Sequence, residues 1–187
     1  MLTAKGMIVS RPRQGITIQD RQNWNMFDPD ILNWLLNCGP DLTTLLNFLQ
    51  LRLAVEPEAA ALAARFGTPE QVADIQLALS RIERAEKGMD DILKADIEFH
   101  TLILQASNNP FVNQMKNFIE AALRVAVRFN SQVYGLVPAN YRNHLAIYHA
   151  IAAKDPEKAF EASRELQIKA IEQIEKLLKT EELPAQE

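Results

Sequence analysis

From Asp28 onward the chain repeats one piece of punctuation: a side chain able to cap a helix, a proline behind it, then apolar residues at helical spacing. Asp28 and Pro29 open "DPDILNWLLN". Thr68 and Pro69 open "TPEQVADIQLALSRIERAEK". Asp155 and Pro156 open "DPEKAFEASRELQIKAIEQIEKLLK". The capping oxygen accepts from N–H groups that have no partner inside the helix, and a proline in the first turn gives up a donor that was unpaired anyway. Between these segments lie "DLTTLLNFLQLRLAVEPEAAALAARF", "MDDILKADIEFHTLILQAS", "PFVNQMKNFIEAALRVAVRFNSQVY", ended by Gly135, and "PANYRNHLAIYHAIAAK". Pro57 is expected to kink or break the first of these, because it removes a backbone donor and crowds the preceding turn. Glycine is scarce, 6 in 187 residues, which also favours helix over sheet. The expected fold class is all-α, an antiparallel bundle of about six to seven helices.

The first 25 residues read differently. They carry Lys5, Arg11, Arg13 and Arg21, with no acidic residue before Asp20. "MIVS" and "GITI" read as two short strands around "RPRQ". A ribbon of that size does not stand alone in water. The chain therefore divides into 1–25, a β-ribbon and linker, and 26–187, a helical domain. The net charge of −4 argues against a strongly basic nucleic-acid binder. The single cysteine, Cys38, excludes an intrachain disulfide and reads as a small buried hydrophobe. No apolar run approaches the length of a membrane span and no signal peptide is evident, so a cytoplasmic location is expected.

The chemistry lies in polar residues that fall inside apolar stripes. Leu93, Asp96, Ile97, His100, Ile103 and Leu104 share one side of a helix, and Asp96 and His100 are four residues apart. His144 shares a side with Tyr141, Leu145, Tyr148 and Ile151. Arg52 lies among Leu45, Phe48, Leu49 and Val55. Buried charges without partners are costly, so these groups are most cheaply explained if they meet. Two imidazoles and a carboxylate converging would make a transition-metal site, and a nearby arginine would offer a fork for a bound carboxylate. Plainer readings stand beside this one. Asp96 and His100 suffice as a hydrogen-bonded pair, Arg52 has Glu56 one turn away, and Arg124 pairs readily with Glu120 on a solvated face. His149 points away from His144 and reads as a surface residue. Trp24 and Trp34 read as packing for the linker or a subunit contact. Phosphate loops, nucleophile elbows, CxxC pairs and repeated Glu-x-x-His motifs are all missing from the sequence, so no enzyme activity is expected.

The order of these segments resembles the effector-binding (FCD) domain of GntR-family transcription regulators of the FadR type. "LTAKGMIVSRPRQGITI" looks like the last part of a winged helix-turn-helix. "WNMFDPDILNWLL" is similar to the linker and first helix, where sugar-acid-responsive members such as galactonate repressors look closest. "LRLAVEPEAAALAA", "ADIEFHTLILQASNNP" and "HLAIYHAIAAKDPEKA" resemble the family's Arg-x3-Glu-Pro signature and two ligand-bearing stretches. The resemblance implies a helical domain around a central cavity that binds a small organic acid, with a divalent metal such as Zn or Ni held by Asp96, His100 and His144. It places Arg52 on the effector carboxylate, with Asn140, one turn before His144, lining the same pocket; from the sequence pattern, Arg124 is a further candidate for an effector contact. It also implies a homodimer, and operator DNA as a partner of an intact parent protein, since this chain would begin inside the winged helix. Leu166 stands where a further histidine is expected. Other readings remain a metal-dependent enzyme in a helical bundle and a dimerisation module without a ligand.

Overall fold

The start signals do their work where the sequence places them. The Asp28 carboxylate accepts from the N–H groups of Asp30 and Ile31 at the head of α1 (Pro29–Asn37). Thr68 forms a reciprocal capping box with Gln71 at the head of α3 (Pro69–Glu86). Asp91 caps α4 (Ile92–Ala106), and Asn109 caps the short α5 (Pro110–Gln114). Asp155 caps α8 (Pro156–Glu181) through the N–H of Lys158. Thr68→Ala should lower folding stability by about 1 kcal/mol, read as a shift of the urea midpoint.

The computed structural model describes residues 1–37, 42–121, 123, 124 and 141–181. Cys38, Gly135 and Asn140 lie outside these residues. The chain divides into two compact units, Met1–Pro40 and Asp41–Glu187. The first unit holds the ribbon and α1.

In the first unit β1 (Ile8–Arg11) and β2 (Gly15–Ile18) pair antiparallel, with Ile8 opposite Ile18 and Arg11 opposite Gly15. Lys5 anchors the ribbon to α1. Its ammonium lies 2.5 Å from Asp28 and 2.8 Å from Asp30, with the Trp34 ring 5.7 Å away. Trp24 Nε1 donates to the carbonyl of Gln19. Gly6 has φ +74°, and a Cβ there would stand 2.0 Å from the Asn23 carbonyl oxygen, so only glycine fits.

The second unit is built on the pairing of α2 (Leu42–Phe66) with α8. Leu42, Leu45, Leu49 and Ile174 are its buried apolar centre, flanked by Leu46, Ile171, Leu177 and Leu178. α2 runs through Pro57 without the expected break. The proline is buried in an alanine-rich face, and the Arg52–Glu56 ion pair spans the preceding turn, so packing holds the helix across the missing hydrogen bond. The long helix expected from Pro110 is instead interrupted. The N–H of Met115 bonds three residues back to Val112, which tightens the end of α5, and helix resumes as α6 over residues 116–121 and 123–124. The rest of that segment lies outside the described residues. α7 (Tyr141–Ala152) starts with its first N–H bonded to the Glu86 carboxylate of α3. It then turns into α8 through Lys154, at φ 54°. α7 packs on α8, α3 and α2, and α4 packs on α3 and α2. That arrangement brings α2, α4, α7 and α8 to a common interior.

Candidate functional site

Each of those four helices contributes a polar side chain to the interior. α2 brings Arg52 and Glu56, α4 brings Asp96 and His100, α7 brings His144 and α8 brings Gln167, all buried. The periodicity of α4 accounts for its pair, since residues four apart point the same way. Phe99, fully buried, stands edge-on to both imidazoles, with ring centroids 5.7 Å from His100 and 5.0 Å from His144.

Glu56 is the hub. Its Oε1 accepts from Arg52 Nε at 2.5 Å. Its Oε2 accepts from Arg52 Nη2 at 3.2 Å, from Gln167 Nε2 at 2.6 Å and from His100 Nδ1 at 2.8 Å. Burial pushes this carboxyl upward, but the Arg52 guanidinium and then His100 outweigh it and hold the pKa at about 2. Asp96 is the second buried carboxylate. Its Oδ1 lies 3.1 Å from His144 Nε2 and 3.7 Å from His100 Nε2. Burial again pushes upward, and the His144 contact, His100 and Arg52 bring the net shift below the ordinary value.

Asp96, His100 and His144 each offer a ligand atom, all within 4.8 Å of one another. Donors about 2.0–2.2 Å from a common tetrahedral centre sit roughly 3.3–3.6 Å apart. The two separations to Asp96 bracket that range, and the three donors together could hold a divalent transition metal.

Residues 47–168 match the FCD domain family. The chain belongs to the FCD family of GntR-type transcription regulators. The chain is 28% identical over 167 residues to the HTH-type transcriptional regulator YieP of Escherichia coli, covering 88% of this chain and 71% of the relative. It is also 28% identical over 165 residues to the galactonate operon transcriptional repressor of Escherichia coli, covering 87% and 71%. Among solved structures, the fold is similar to a Streptococcus agalactiae GntR protein at TM-score 0.61 and 20% identity, covering 91% of this chain and 77% of that one. These relatives are regulators of transcription, not enzymes. No described helix of this chain is long and apolar enough to cross a membrane.

The structure brings together four of the six residues singled out in the sequence: Asp96, His100, His144 and Arg52. Arg124 is not among them. It is 45% exposed and pairs with Glu120 at 2.6 Å, one helical turn away. His149 is exposed, as expected. Two members of the cluster were not assigned to it from the sequence. Glu56 appears there only as a nearby partner for Arg52. Gln167 is hidden behind Leu166, which is half-buried, whereas Gln167 is buried and reaches Glu56. The buried stripe Ala159, Ser163, Gln167, Ile174 on α8 is the signal that separates the two positions. Because the Gln167 amide nitrogen faces a carboxylate, its oxygen is the other atom. That Oε1 is buried without a hydrogen-bond partner among the described residues, an acceptor left open beside the cluster.

Proposed function

We propose that this FCD domain senses a small monoanionic organic acid, of the sugar-acid class, at the Asp96–His100–His144 cluster with the help of a divalent metal. The observation that supports this most directly is the pre-assembled donor set, with His144 and His100 nitrogens 3.1 and 3.7 Å from one carboxylate oxygen. The charge of the cluster supports it as well. Two carboxylates, Glu56 and Asp96, face one guanidinium, Arg52, which leaves one negative charge in excess. A divalent cation and one monoanion bring the sum to zero, the favoured state for a buried site. Arg52 is the group for the acid's carboxylate, and Gln167 Oε1 suits a hydroxyl donor on the same ligand. The metal, when bound, neutralises and orients the acid. In an intact regulator acting as a homodimer on operator DNA, ligation would bias the relative placement of the DNA-reading domains.

The test is thermal unfolding with Zn, Ni or Mn salts, alone and with galactonate. A ligand at about 100 times its Kd should add about 2.7 kcal/mol of stability. Asp96→Ala and His144→Ala should each abolish the metal-dependent gain. A melting curve unmoved by every metal, together with no bound metal by elemental analysis, would sink this reading.

A further inference from the structure

His100 is held from both ends. Its Nδ1 lies 2.8 Å from Glu56 Oε2, and its Nε2 lies 3.3 Å from Arg52 Nη2. An ionised carboxylate only accepts, and a guanidinium nitrogen only donates. Both contacts therefore demand the same tautomer, with the proton on Nδ1 and the lone pair on Nε2. A proton on Nε2 instead would set two donors face to face at one end of the ring and two acceptors at the other. Nε2 is also the ring atom 3.7 Å from Asp96 Oδ1, hence the atom that would join Asp96 and His144 in holding a cation. One lone pair has two claimants.

We propose that Arg52 and a divalent cation compete for Nε2 of His100, so that the guanidinium edge caps the cluster until a cation displaces it and thereby releases it for the anionic ligand. The inference rests on the metal-assisted reading above and adds the exchange that couples its two ligands. The hydrogen bonds show which edge lets go. Arg52 Nε is tethered to Glu56 Oε1 at 2.5 Å, whereas Nη2 is shared between Glu56 Oε2 at 3.2 Å and His100 at 3.3 Å. Nη2 is therefore the looser end of the fork, and Nε the pivot. Glu56 is the positioning residue: it holds the arginine by that pivot and fixes the His100 tautomer. An acid that engages Nη2 removes the competitor, so acid and cation strengthen each other's binding reciprocally.

The experiment uses the full chain and Zn2+ alone. Nitrogen-15 NMR of the cation-free protein should show His100 with a proton-bearing Nδ1 and an unprotonated Nε2. Saturation with Zn2+ should shift the Arg52 side-chain resonances. Calorimetric titration should find Arg52→Gln and Arg52→Lys binding Zn2+ more tightly than wild type, on the order of tenfold. The lysine variant keeps the charge but not the planar fork, so tightening in both variants separates competition for the lone pair from simple repulsion. A proton on Nε2, or Arg52 resonances unmoved by saturating Zn2+, would overturn the exchange without touching the effector reading, and neither measurement depends on a variant folding. Folded variants with unchanged or weakened Zn2+ affinity would also overturn it, leaving Arg52 a support. Failure of the wild type to bind Zn2+ would overturn the exchange and the metal-assisted reading together.

Discussion

Glu56→Ala should cost the FCD domain about 3–5 kcal/mol of folding stability, because removing one partner of a buried ion pair strands the other. The stranded group is Arg52, itself buried. The same change leaves the Gln167 amide and the His100 Nδ1 without the acceptor they share. Three helices lose their common anchor at once, which puts the loss at the upper end of single-substitution effects. Urea unfolding, with the slope compared between variants, gives the measurement. Replacing Arg52 and Glu56 together by methionine should recover part of the loss, since the guanidinium is then no longer stranded. A deficit below about 1 kcal/mol for Glu56→Ala would mean that water reaches the cluster and that Glu56 does not organise it.

Phe99→Ala is expected to cost a similar amount, about 3–5 kcal/mol, for an unrelated reason. The ring is fully buried and its removal leaves a cavity that neighbouring helices fill only in part. Its second consequence is functional. Phe99 is the wall against which both imidazoles rest, so the variant should hold a divalent metal less tightly even where it stays folded. Phe99→Leu, which keeps most of the volume, should restore much of the stability while leaving the imidazoles less well braced. Metal affinity unchanged in folded Phe99→Ala would show that Glu56 and Asp96 alone orient the two rings.

The helical domain was legible because its signals are local. Thr68 and Asp155 cap the helices they stand before, and a cap depends on a few consecutive residues. The inward faces of Asp96, His100, His144 and Arg52 follow from periodicity. What periodicity does not supply is which atom meets which. Glu56 reads as a local partner of Arg52 until α4 and α8 are packed against α2, and only then does it become a shared acceptor. Gln167 is one position away from Leu166, a rotation of about 100° on a helix, enough to turn a side chain from the flank to the interior. Pro57 signals a break from its own chemistry alone, and burial among its neighbours carries the helix through it.

That proline has a mechanical consequence. A helix that continues through proline carries one backbone bond fewer, and the deficit falls on the carbonyl four residues earlier, Leu53. Leu53 sits in the turn between Arg52 and Glu56, the two α2 residues of the cluster. The missing backbone bond of α2 thus coincides with the point where the helix touches the buried charges, and there the Arg52–Glu56 side-chain pair spans the turn in its place.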